Sequence, residues 1–202
     1  MPSTTASCRY RRCAACSGSA RRTWARDREH GRCRPADRSF QKRERSRSRP
    51  SSDIVGSTAH ADRLGDARWR ILLEEYRTLS RAEIARYDGI EVETIGDGVF
   101  IRFDSTARAL ECAKALRLGV RRLGIGIRAG VHTGECELQS GKLAGMAVHI
   151  AARVQAIANG DEIVVSRTVK DLAVGSGMHF EDRGEHTLKG VPGDWRLYTL
   201  VG

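Results

Sequence analysis

Apolar stretches are short in this chain of 202 residues, and none approaches the ~20 residues that a membrane-spanning helix needs. The N-terminus lacks the apolar core of a secretory signal. A membrane protein and an ordinary secreted protein are both disfavoured, and a cytoplasmic location is expected. Aromatic residues are also scarce, at 5 %. Only Tyr10, Trp24 and Phe40 stand among the basic residues near the N-terminus, too few for the stacking that single-stranded nucleic-acid binders use.

The charge is uneven. The net charge of +10 arises in the first fifty residues, which hold fifteen Lys or Arg against four acids, and the remaining 152 residues are close to neutral. That basic segment has no Val, Ile or Leu and ends in Arg45-Ser46-Arg47-Ser48-Arg49-Pro50. It cannot bury enough apolar surface to offset its ordering entropy, so residues 1–52 are expected to be a disordered Arg/Ser-rich tail. Its charge could serve phosphates through counterion release, but nucleic acid is not the partner the rest of the chain suggests. Cys13 and Cys16 have the spacing of a zinc-ligand pair, yet Cys8 and Cys33 form no second pair of that spacing. The four read as unpaired thiols, and Cys112 and Cys136 as small core residues.

From Asp53 onward the pattern is that of one folded α+β domain, residues 53–202, long enough to bury a core without disulfides or metal. Thr58 is a candidate N-cap for a helix through about Tyr87, with Leu64, Trp69, Leu72, Leu73, Tyr76, Leu79 and Ile84 as its apolar stripe. Two β runs follow, Ile90 to Ile95 and Val99 to Phe103, joined by the turn signal Gly96-Asp97-Gly98. A helix is predicted from about Ser105 to Leu123, then a strand from Ile125 to His132 with Glu135 to Leu138 pairing back across Thr133-Gly134. A loop over Ser140 to Gly145 leads to a helix from Met146 to about Ala158. A strand (Glu162 to Val165), a short helix (Arg167 to Val174) and two closing strands (Met178 to Glu181, Trp195 to Val201) complete the chain. This order fits a ferredoxin-like antiparallel sheet with helices on one face. Its first strand is missing or replaced, because Arg45 to Ser52 offer no apolar residue but Pro50.

Five ordered motifs carry a resemblance. Asp53-Ile-Val-Gly-Ser-Thr58, Thr94-Ile-Gly-Asp97-Gly, Arg128-Ala-Gly-Val-His-Thr-Gly134, Ala147-Val-His149-Ile-Ala-Ala-Arg153 and Leu188-Lys-Gly-Val-Pro192 together resemble the catalytic domain of class III nucleotide cyclases. The chemistry of that family is attack of a ribose 3′-hydroxyl on the α-phosphorus of a nucleoside triphosphate, with pyrophosphate leaving. Such a step calls for carboxylates that hold hard divalent cations. The resemblance implies that Asp53, Asp97 and the backbone carbonyl of Ile54 hold two Mg²⁺ or Mn²⁺ ions. It implies that Arg153 contacts the phosphate, that His149, where most relatives have asparagine, orients the ribose, and that Lys189 binds phosphate. Glu93 and Lys142 fall at the base-selecting positions. A carboxylate at Glu93 accepts from guanine N1–H and its 2-amino group and favours GTP, whereas Lys142 fits neither the ATP nor the GTP pattern.

The family further implies a homodimer with two shared sites, the metal aspartates coming from one chain and Glu93, Lys142, His149 and Arg153 from the other. The expected function is conversion of ATP or GTP to the 3′,5′-cyclic monophosphate in intracellular signalling. The alternative is a degenerate cyclase-fold domain that binds nucleotide or a partner without turnover. Because the resemblance begins abruptly at Asp53, residues 1–52 are expected to derive from a misread or frameshifted start, and a chain without its first strand is expected to be impaired.

Overall fold

The computed structural model describes residues 24–26, 33–35, 43–139 and 142–202. The chain divides into two units, Met1–Phe40 and Gln41–Gly202. In the first, β1 (Trp24–Arg26) and β2 (Cys33–Pro35) form an antiparallel pair. The remainder of the segment read as a tail, residues 1–42, lies outside the described residues, as do Cys8, Cys13 and Cys16.

The second unit is built on a sheet in the order β4-β5-β3-β6-β8-β10-β9. Its strands are β3 (Arg43–Ile54), β4 (Ile90–Ile95), β5 (Gly98–Arg102), β6 (Ile127–Gln139), β7 (Lys142–Ala144), β8 (Ile163–Ser166), β9 (His179–Thr187) and β10 (Asp194–Val201). Among the described strands of this sheet all pairings are antiparallel except β6 with β8, and β7 pairs back onto β6. The helices are α1 (Ser57–Leu64), α2 (Asp66–Arg86), α3 (Thr106–Arg121), α4 (Met146–Ile157) and α5 (Arg167–Leu172).

The strand held to be missing is present. β3 lies between β5 and β6, so the folded unit begins near Gln41 and not at Asp53. Apart from Pro50 and Ile54 its side chains are polar, but between Ser48 and Ser52 its backbone has strand partners on both sides. Arg47 through Ile54 pair in register with Gly134 through Ile127, and Ser51 and Ser52 pair with Phe100 and Val99. Two of its hydroxyls are satisfied internally: Ser48 Oγ meets Thr106 at 2.8 Å and Thr133 at 2.9 Å, and the Ser51 hydroxyl donates to the Gln155 side-chain carbonyl. Pro50 interrupts only the β5 side. Ser48 and Phe103 exchange both backbone hydrogen bonds, so two residues on, the absent Pro50 N–H would have pointed to β5.

Three further expectations change. The single helix from Thr58 to Tyr87 is two helices, because Gly65 (φ 74°) closes α1 with its N–H on the Ala61 carbonyl. Thr58 is not the cap; Gly56 is, without a side-chain bond. β6 runs straight through Thr133-Gly134, and the hairpin partner is β7 rather than Glu135–Leu138. Helices occupy both sheet faces rather than one. Ile127, Ala129, Val131, Ile163 and Val165 pack in a core with residues of α2, α3 and α5, whereas the intervening Val164 packs with Ile150, Val154 and Ala158 of the α4 side. Alternation along each strand sends successive side chains to opposite faces. Gly130 makes the α4 contact possible: an added Cβ would lie 2.2 Å from the Gln155 nitrogen. Cys112 and Cys136 are buried, as read.

Candidate active site

β3 and the β4–β5 hairpin bring Asp53 and Asp97 to one cleft. The hairpin turns on Gly96 and Asp97, with Gly96 at φ 63°, a backbone that glycine adopts without the Cβ clash of other residues. Arg77 of α2 braces this turn by donating from Nη2 to the Gly96 carbonyl at 3.1 Å. Asp97 Oδ2 accepts from the Ile54 backbone N–H at 3.1 Å, which ties the hairpin tip to the end of β3. Asp53 stands directly opposite Arg128 in the β3–β6 register, and its two oxygens accept from Arg128 Nε at 2.7 Å and Nη2 at 2.9 Å. That hydrogen bonding, opposed by partial burial and aided by the charges of Asp53 and Asp97, raises the Arg128 pKa above its ordinary value.

The cleft is about 260 Å³ in volume, and its walls include Ser51, Asp53, Asp97, Arg128 and Gln155. On the opposite sheet face the buried Tyr76 phenol lies beside the Ser52 and Ser80 hydroxyls. Burial raises the Tyr76 pKa, the two hydroxyls pull it down, and the Asp97 and Asp53 charges add to the rise, so the phenol stays protonated.

The donor set suits a hard cation. Asp53, Asp97 and a neighbouring backbone carbonyl supply oxygen only, as Mg²⁺ and Mn²⁺ prefer. Among the described residues no three His, Cys, Asp or Glu side chains converge, so other coordination positions would fall to water and substrate phosphate oxygens.

The other sequence-selected residues lie elsewhere on this chain. His149 and Arg153 are exposed on α4, and Arg153 Nε donates to the Lys189 carbonyl at 3.1 Å, so Arg153 and Lys189 are neighbours. None of the three lines the Asp53–Asp97 cleft. Glu93, opposite Phe100 on β5, borders a separate crevice of about 10 Å³ that Arg49 and Val148 also line. Lys142 is on β7, and its side chain lies outside the described residues. Sequence reasoning assigned no role to Arg128, Ser51 or Gln155. For Arg128 the sequence offered only its place at the head of a motif, and its contact with Asp53 comes from the β3–β6 register.

This geometry agrees with a family match. The adenylate and guanylate cyclase catalytic domain matches residues 51–202. The chain belongs to that family. An adenylate/guanylate cyclase/hydrolase from Silicibacter pomeroyi is 28 % identical, with a TM-score of 0.71 over 78 % of this chain and 97 % of the other. The guanylate cyclase domain of RhGC from Catenaria anguillulae, solved in complex with GTP, is 20 % identical, with a TM-score of 0.73 over 80 % and 98 %. A receptor-type adenylate cyclase, GRESAG 4.3 of Trypanosoma brucei brucei, is 25 % identical over 74 % of this chain. The chain spans 27 % and 16 % of the lengths of the first two curated relatives it matches. Among the described residues no helix is long and apolar enough to cross a membrane.

Proposed function

We propose that this domain closes a purine nucleoside triphosphate, ATP or GTP, to its 3′,5′-cyclic monophosphate with release of pyrophosphate. The observation that carries the proposal is the convergence of Asp53 and Asp97 on one open cleft, with Asp97 tied to the Ile54 amide. The two carboxylates and the Ile54 carbonyl would hold two Mg²⁺ or Mn²⁺ ions. Such ions, when bound, assist ionisation of the 3′-hydroxyl and offset charge on the phosphates.

The remaining groups come from a second copy of the chain in this reading. His149, Arg153 and Lys189 are exposed and outside the cleft, as a shared site requires of groups that act on a partner. Arg153 presents a planar fork suited to phosphate oxygens, and His149 donates to the ribose. Glu93 accepts from guanine, which favours GTP, with Lys142 as its base-side partner. The test is mass-spectrometric detection of cyclic AMP and cyclic GMP after incubation with Mn²⁺ and either triphosphate. Product lost in Asp97→Ala supports the proposal and names the base. Absence of product from the unmodified chain in both incubations would overturn it and leave a domain that binds without turnover.

A further inference from the structure

We propose that Arg128 competes with the divalent cation for Asp53, so that this guanidinium sets how readily the nucleotide-free site takes up metal. The inference rests on the metal role of Asp53 and Asp97 given above. Arg128 engages both oxygens of Asp53, Nε on one and Nη2 on the other, at 2.7 and 2.9 Å. This two-point geometry is the strongest that a carboxylate and a guanidinium form. A cation that binds Asp53 must use one of those same oxygens, either displacing the hydrogen bond or sharing the oxygen with it. It would then sit beside a fixed positive charge unless the arginine moves away.

The pairing is built into the sheet. Asp53 and Arg128 face each other across β3 and β6, so the contact does not depend on a loop. Asp97 uses one oxygen to accept from the Ile54 amide. Two carboxylates and one guanidinium leave the cleft wall with a net charge of −1, and loss of Arg128 would make it −2. The Arg128 and Asp53 side chains are 40 % and 22 % exposed, so the guanidinium can swing into water without stranding a buried charge. The pair therefore acts as a releasable latch and not as a permanent block.

A purely supporting role makes the opposite prediction. If Arg128 only holds Asp53 in place, its removal loosens a ligand and weakens metal binding. If it competes, its removal tightens metal binding. The experiment is a titration of the full chain with Mn²⁺ in the absence of nucleotide, following the free-ion signal by electron paramagnetic resonance. Unmodified protein, Arg128→Met, Arg128→Lys and Asp53→Asn are compared. Arg128→Met should bind Mn²⁺ roughly fivefold more tightly, the factor that corresponds to losing a partly exposed ion pair. Arg128→Lys, which keeps the charge but loses the fork, should fall between the two.

Equal or weaker binding by Arg128→Met overturns the latch while leaving the metal role intact, provided Asp53→Asn still abolishes binding. If no Mn²⁺ binding by any variant depends on Asp53, the metal role fails and the latch fails with it. Should Arg128→Met not fold, Arg128→Gln keeps a hydrogen-bond donor without the charge and carries the same expected sign.

Discussion

Substituting Gly130 by alanine tests the packing on which the cleft depends. The added methyl carbon would lie 2.2 Å from the Gln155 nitrogen, 2.6 Å from its Cα and 2.7 Å from the Ala151 carbonyl oxygen. All three are backbone atoms of α4, so no side chain can swing aside. Ordinary contact begins at 3.4 Å, which requires α4 to move by about 1 Å or β6 to buckle. Overpacking of this kind costs about 1 to 3 kcal/mol, and the backbone contacts place this site at the upper end. For a domain of this size, that lowers Tm by roughly 6 to 12 °C. Gly119→Ala in α3 is the contrast, because the nearest atoms there belong to the Leu79 side chain at 3.1 and 3.2 Å. That substitution gains about 0.5 to 1 kcal/mol of helix propensity, offset by a small shift of Leu79. Thermal unfolding followed by circular dichroism reads both. A Gly130→Ala chain that melts within about 2 °C of the unmodified protein would refute the claim that α4 is seated by this glycine.

Two other predictions follow from buried titratable groups. His132 is buried, its Nδ1 is 2.8 Å from the Ser166 hydroxyl, and burial followed by the Arg49 charge lowers its pKa to about 4. A folded-state value below the unfolded one of about 6.5 means that the unfolded chain binds more protons in that window. Stability is therefore fully present above about pH 6.5 and declines toward pH 4, by about 2 kcal/mol between pH 7 and pH 5. Urea unfolding at the two pH values measures it, and His132→Gln should flatten the difference; an unchanged slope would contradict the assignment. Cys112 is wholly buried, and its thiol is pushed up to about 12 by burial and then by the Glu83 charge. Iodoacetamide should leave it unmodified in the native chain and label it in urea, because the thiolate is the reactive form. Labelling of native protein at the rate of a free thiol would count against that burial.

Much of the fold was legible because local signals agreed with tertiary demand. Ser105 caps α3 by accepting from the Arg108 amide, and the hairpin around Asp97 forms where its glycines mark a turn. β3 was not legible. Side-chain hydrophobicity argues against a central strand at Arg43–Ile54, while the backbone of two neighbouring strands and the hydroxyl partners of Ser48 and Ser51 argue for it. Those partners are 58 to 104 residues distant, and no local pattern carries them. Gly65 was hidden for a different reason: the apolar stripe continues across it in sequence, but a left-handed glycine resets the helix phase. The site divides in the same way. Motifs singled out Asp53 and Asp97, which line one cleft, whereas the Arg128 contact depends on register between strands, a long-range property.

The central claim, a cyclase site assembled from two copies, is tested most directly by mixing two inactive chains. Asp97→Ala removes a carboxylate proposed to hold metal and Arg153→Ala the fork proposed to hold phosphate, so each alone should form no cyclic nucleotide from ATP or GTP with Mn²⁺. In an equal mixture half of the dimers are mixed and each has one intact site of two, so activity should recover to about a quarter of the unmodified value. A mixture that makes no more product than its separate components would contradict the shared site.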